Sequence, residues 1–160
     1  MCLRLLAAAG FGVVIGIERE WANKPAGLRT HVVVCVASAL LMTTSLLLGD
    51  RLGVHGEAMR VAAGVVTGIG FIGAGTILQT KRAVLGLTTA ATVFMAAAIG
   101  IAVGGGLYYV SLTAAGITVF STWVLRAIEP SLGRSGTDMI EHAPRRPRPD
   151  RPTSPRKSES

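Results

Sequence analysis

From position 83 to position 125 the chain carries no Asp, Glu, Lys or Arg, a run of 43 residues. No single buried helix of a water-soluble domain needs so long a stretch, and it is about twice the roughly 20 residues that cross a bilayer. Near its middle stands Gly104-Gly105-Gly106, a natural reversal point. The run therefore reads as a membrane hairpin, with spans over 83–103 and 107–125. Three more apolar segments precede it: 61–80, 32–49 and 1–17. In the last of these the small triplet Ala7 to Ala9 comes before the main apolar run, the reverse of a signal-peptide cleavage site. The expected fold is all-α: an integral membrane bundle of five transmembrane helices over residues 1–129.

Composition agrees, with half of the residues apolar and only 16% charged against about 25% in soluble domains. The segment 130–160 is different in kind. It holds six of the seven prolines and is rich in Arg, and it has too little apolar surface to fold. It is expected to be a disordered, basic C-terminal tail. With the N-terminus outside, the cytoplasmic side collects 13 Lys/Arg and the outer side only Arg4, Arg51 and Arg60. The positive-inside rule favours that orientation in a plasma membrane. It also brings Trp21 and Trp123 to the inner interface and Tyr108 and Tyr109 to the outer one. The formal charge of +7 then reflects topology, and no nucleic-acid module accompanies it.

Gly68 to Gly75, "GIGFIGAG", opens with the G-x-G-x-x-G of a dinucleotide-binding turn. That reading needs a strand before it and an acidic residue about 20 positions on; the downstream text "TTAATVFMAAAIG" has none. Small residues in membrane helices let backbones approach closely. Gly64, Gly68 and Gly75 share one face of the third span, and Gly70 and Gly73 another. This span is expected to be central and packed on both faces. Gly12/Gly16 and Gly100/Gly104 repeat the spacing as isolated pairs, read as generic packing, so enlarging Gly12 is expected to do less harm than enlarging Gly68.

The polar residues gather at one set of helix ends. "GIEREWANKPAGLRTH", Gly16 to His31, joins the first two spans. Carboxylates so close to hydrocarbon are costly unless paired or functional. Glu18 can pair with Arg29 across the loop in a network that locks the hairpin. Alternatively, Glu18 and Glu20 can offer oxygen ligands to Mg²⁺. Thr30 is placed to cap the second helix, and His31 reads as an interfacial side chain. Thr88 and Thr92 in "GLTTAAT" share a helical face. Glu18, Arg19, Glu20, Arg29, Thr30, His31, Thr88 and Thr89 thus form a candidate cluster at the inner face, together with Lys81 and Arg82. Arg60, on the outer side, has Glu57 three residues earlier as a helical partner. Asp50, His55 and Glu57 show no metal-ligand spacing. No Ser/His/Asp set, Cys/His set or H-E-x-x-H occurs, so no enzyme is expected. Cys2 and Cys35 suggest neither a metal site nor a disulfide.

"GIEREW…KPAGLRTH", "RVAAGVVTGIGFIGAG" and "GLTTAAT", in this order, resemble the MgtC/SapB family of bacterial inner-membrane proteins over about residues 10 to 125. The resemblance implies a five-span domain that supports growth under magnesium limitation and, in some members, survival inside host cells. It implies action through other membrane complexes, ATP synthase among them. A small Mg²⁺ transporter or channel is the alternative. A homo-oligomer is a separate expectation for such a bundle. The family signature falls on Glu18, Arg19, Glu20, Gly27, Leu28, Arg29 and Thr30. It continues with Arg60, Gly68, Gly70, Gly73, Gly75, Gly86, Thr88 and Thr89. Leu85 stands where the family usually has Arg, and the basic tail stands where some members have a folded cytoplasmic domain.

Overall fold

A computed structural model describes residues 1–54, 56–79 and 84–128, without the side chains of 125, 126 and 128. Its element order is α1 (Cys2–Trp21), α2 (Leu28–Leu52), α3 (Glu57–Gly75), β1 (Leu78–Gln79), β2 (Val84–Leu85), α4 (Leu87–Gly104) and α5 (Tyr108–Ile128). Among the described residues, α2, α3 and α4 are long and apolar enough to cross a membrane. The expected tail over 130–160, and His55, Lys81 and Arg82, lie outside the described residues.

The helices extend beyond the apolar segments where the backbone allows it. α1 runs on through Glu18, Arg19 and Glu20 to Trp21. The third span is displaced: α3 starts at Glu57 and ends at Gly75, whereas the apolar text pointed to 61–80. Thr76 closes it by donating its hydroxyl to the Gly73 carbonyl at 2.7 Å. The chain then forms a two-rung antiparallel ribbon, pairing Leu78 with Leu85 and Gln79 with Val84. No strand was expected; Leu85 lies half-buried in this ribbon. Gly86 then turns the chain into α4 at φ +87°, and a Cβ there would lie 2.0 Å from the Thr76 carbonyl oxygen. Two constraints thus require glycine.

At the other end of α4 the expected reversal is present. The Leu107 N–H reaches the Ala102 carbonyl and the Gly106 N–H the Val103 carbonyl. With Gly106 at φ +85°, this is a Schellman closure. Arg4, counted from the sequence only as an outer charge, adds a tie. Its Nη1 donates to the Gly104 carbonyl at 2.7 Å, across 100 residues of sequence. Thr43 Oγ1 donates to the same oxygen at 3.2 Å. A cation at a helix C-terminus meets the negative end of the macrodipole.

The core is built on α1, α2 and α4. Ala8, Ile15, Cys35, Ala39, Ile99 and Val103 cluster in it. The packing is backbone against backbone. A Cβ on Gly12 would come 2.6 Å from the Val32 Cα, and one on Gly16 2.7 Å from the Leu28 Cα. On Gly100 it would come 2.3 Å from the Cys35 carbonyl oxygen, and on Gly104 2.6 Å from that of Ala39. These glycines let α1 and α4 lie directly on α2, as small residues do between membrane helices.

The packing expected for α3 is corrected. Gly64, Gly68, Gly70 and Gly75 would meet nothing within 4 Å; Gly73 alone would touch Ala90, at an ordinary 3.6 Å. Within the chain α3 is peripheral. Only 11% of its apolar window is buried, against 50% for α4, which holds the centre. The reason is spacing: α3 meets its neighbours through Ile69 and Val65, beside Val93 and Ala97, while Gly64 and Gly68 face an open groove between α2 and α3 rather than a backbone in contact. Enlarging Gly12 should therefore do more harm than enlarging Gly68.

The exterior is apolar on all sides. Phe71 is 84% exposed, Leu112 62% and Phe120 67%, while Ser38, Thr43 and Ser111 are buried. Such a surface is an aggregation liability in water and is normal against lipid. Trp21, at the end of α1, is 78% exposed, and Tyr109, at the start of α5, 87%.

Candidate functional site

The end of the bundle formed by the α1–α2 loop, the start of α4 and the last turns of α5 carries the polar cluster. Arg19 is its centre. The last full turn of α1 places it inward, with its side chain 3% exposed and that of Glu18 13% exposed. Arg19 Nε donates to Glu18 Oε2, and Nη2 donates to Glu18 Oε1 at 3.0 Å. This is a forked guanidinium–carboxylate pair. Adjacent residues on a helix do not normally face each other; here both side chains are long enough to fold back. The expected pairing of Glu18 with Arg29 does not form. Arg29 points outward from the first turn of α2 and is exposed.

Glu20 has a different task. Its Oε2 accepts the Leu28 N–H at 2.9 Å and so caps α2. An N-terminal N–H without an intrahelical partner is satisfied by an acid, which the helix dipole also favours. The same oxygen lies where a Cβ on Gly27 would fall. Thr30, expected as the cap, is the third residue of α2; the N-cap is Gly27. Glu18 and Glu20 therefore engage separate partners. Among the described residues no three His, Cys, Asp or Glu gather as a metal would require.

His31 is fully buried rather than interfacial. Its Nδ1 lies 2.8 Å from the Gly27 carbonyl. A carbonyl only accepts, so Nδ1 carries the proton and Nε2 of the neutral ring is an acceptor. His31 Nε2 and Arg19 Nη1 are both buried without a hydrogen-bond partner among the described residues.

A cavity of about 380 Å³ opens beside Arg19, between α1, α4 and α5. Arg19 and Lys24 supply its charge, and Thr88, Thr92, Thr118 and Thr122 supply hydroxyls. Ala91, Met95 and Ile117 form the apolar wall. The expectation that Thr88 and Thr92 share a face holds here. Thr89, on another face, is buried, and its carbonyl accepts the Thr92 hydroxyl at 3.1 Å. Of the candidate residues, the structure brings Arg19 and Thr88 to this cavity; Arg29, Thr30 and His31 do not line it. Lys24, Thr118, Ser121 and Thr122 were not singled out from sequence. The spacing of Thr118 and Thr122 was their one available signal. At the opposite end, Arg60 Nη1 meets Glu57 Oε1 at 3.3 Å, as expected.

A profile of the MgtC family matches residues 5–131. The chain belongs to the MgtC family. Among curated relatives, "Putative magnesium transporter YhiD" of Escherichia coli K12 is 46% identical over 112 residues, 66% of this chain and 51% of that protein. Protein SapB of Bacillus subtilis is 41% identical over 137 residues, 80% of this chain and 59% of SapB. Protein MgtC of Salmonella typhimurium LT2 is 40% identical over 125 residues, 78% of this chain and 52% of MgtC. The chain thus spans about half the length of these MgtC-family relatives. No solved structure matches it. Family membership and the apolar helices together make it a membrane protein of a magnesium-related family.

Proposed function

We propose that this MgtC-family chain supports adaptation to magnesium scarcity by modulating other membrane complexes, and that it does so without conducting Mg²⁺ itself. In this reading it is a five-span protein of the bacterial inner membrane. The N-terminus is outside, and the Arg19 end faces the cytoplasm. The observation that carries the reading is the charge of the cavity at that end. Its ionic lining consists of Arg19 and Lys24, whereas a divalent cation requires oxygen ligands and, usually, carboxylates. The nearby carboxylates are engaged by the protein, Glu18 with Arg19 and Glu20 with the α2 N-terminus. The interior beyond is closed by backbone contact at Gly12, Gly16, Gly100 and Gly104.

The second reading, a small magnesium transporter, has in its favour the name carried by the Escherichia coli relative. Two measurements separate them. Purified protein in liposomes loaded with a magnesium-sensitive dye should give no influx above empty liposomes. Expression in a host lacking its own family member should restore growth in low magnesium. Protein-dependent influx would overturn the modulatory reading in favour of transport. Absence of growth support at normal membrane abundance would overturn both.

A further inference from the structure

The cavity beside Arg19 has a chemistry that magnesium adaptation does not explain. Arg19 is 2% exposed, lines the cavity, and keeps a buried Nη1 with no hydrogen-bond partner among the described residues. Glu18 occupies Nε and Nη2 only. A buried, unsatisfied guanidinium N–H is costly. With Lys24 added and one carboxylate already paired, the local balance is positive. Thr88 stands in the first turn of α4, whose N-terminal dipole adds positive potential.

The hydroxyls fit the same kind of ligand. Thr92, Thr118 and Thr122 donate to carbonyls of their own helices, at 3.1, 2.7 and 3.0 Å. These carbonyls belong to helical turns, so each hydroxyl can rotate its proton toward an anion at little cost. The polar groups are graded along the bundle. Lys24 and Arg19 mark the end of α1, while Met95 and Ile117 lie one to two turns deeper on α4 and α5. Ile117 is 68% exposed, so this wall is open on the lipid-facing side. The volume, about 380 Å³, is in the range of ligand pockets, roughly 300–1,000 Å³.

We propose that this cavity binds the phosphate of an anionic phospholipid. Arg19 and Lys24 hold the phosphate, Thr88 and Thr92 stand beside it, and Met95 and Ile117 line the start of the acyl region. A free phosphate would use the cations and leave the apolar wall idle, which is why the lipid is preferred. The inference does not depend on the magnesium reading or on which membrane face the cavity occupies.

The test uses the full chain, purified in a neutral detergent and delipidated, with thermal unfolding as readout. Dioctanoyl phosphatidylglycerol, dioctanoyl phosphatidylcholine and inorganic phosphate are titrated separately. Phosphatidylglycerol should raise Tm by several degrees, because a ligand that binds only the folded state stabilises it by mass action. Phosphatidylcholine should do markedly less, and inorganic phosphate should do nothing at the same concentration. Lys24→Gln and the near-isosteric Thr92→Val should each cut the phosphatidylglycerol shift by half or more. Lys24→Arg should retain it, and Arg51→Gln, at the far end of α2, should leave it intact. An equal shift with inorganic phosphate would replace the lipid by a free anion and overturn the assignment. No shift with phosphatidylglycerol, or a wild-type shift in both cavity variants, would overturn the site.

Discussion

At Gly100 on α4, one added carbon would lie 2.3 Å from a carbonyl oxygen of α2; at Gly68 on α3 it would meet nothing within 4 Å. The polar pairs divide in the same way. Glu18–Arg19, on the α1 side, is buried, while Glu57–Arg60, on α3, is 47% and 80% exposed. α1, α2 and α4 thus form a closed unit joined by backbone contact, and α3 is attached at its margin. The difference teaches that glycine density and glycine packing are separate properties. Four glycines in eight residues make α3 permissive, but two glycines opposite the carbonyls of a neighbour make α4 close-packed.

The largest effect is expected at Gly16→Leu. Its Cβ alone would sit 2.7 Å from the Leu28 Cα, so a leucine must push α1 off α2. Overpacking costs about 1–3 kcal/mol even for smaller insertions. Folded protein recovered in detergent should fall to a small fraction of wild type. Recovery at the wild-type level would break the comparison at its strong end.

Next in size is Glu18→Gln. It leaves the Arg19 guanidinium, 3% exposed, without its counter-charge. Removing one partner of a buried pair costs about 3–5 kcal/mol; here partial exposure of Glu18 places it near the lower bound, about 3 kcal/mol. Chemical denaturation in detergent reads this directly. A loss below about 0.5 kcal/mol would mean that Arg19 finds another partner. The smallest effect is expected at Arg60→Gln. Exposed pairs contribute about 0–1 kcal/mol, so its stability should match wild type within about 0.5 kcal/mol. A large loss there would show that α3 is held by more than its contacts within the chain.

Much of this division was hidden in the sequence, for physical reasons. The helices were legible because long uncharged runs have few alternatives, and the turn at Gly104 to Gly106 because glycine punctuates them. The ends were less legible. α3 stops at Gly75 because Thr76 caps its carbonyls, a contact that apolarity does not report. The Glu57–Arg60 pair was legible because its partners share a helical face. The pairing of Glu18 with Arg29 across the loop does not form because Glu18 is taken by Arg19; adjacent helical residues rarely face each other, but two long side chains at a helix end do so here. Arg4 reaching Gly104 is a tertiary contact with no local signal. Spacing placed Thr88 and Thr92 on one face, but only the packing of α5 against it made a cavity there. For the glycines, spacing identifies a face and says nothing about which neighbour lies opposite.

The most direct test of the closed unit and its open margin compares the smallest possible insertions. Gly100→Ala and Gly68→Ala each add one carbon to a membrane helix of similar apolarity. Thermal unfolding of the two purified variants beside wild type isolates the packing difference. Gly100→Ala should lower Tm by several degrees, because Cys35 and Ser38 of α2 must move to admit the methyl. Gly68→Ala should leave Tm unchanged or slightly raised, since alanine is the better helix former by about 1 kcal/mol where nothing opposes it. An equal loss in both variants, or a larger loss at Gly68, would contradict the account.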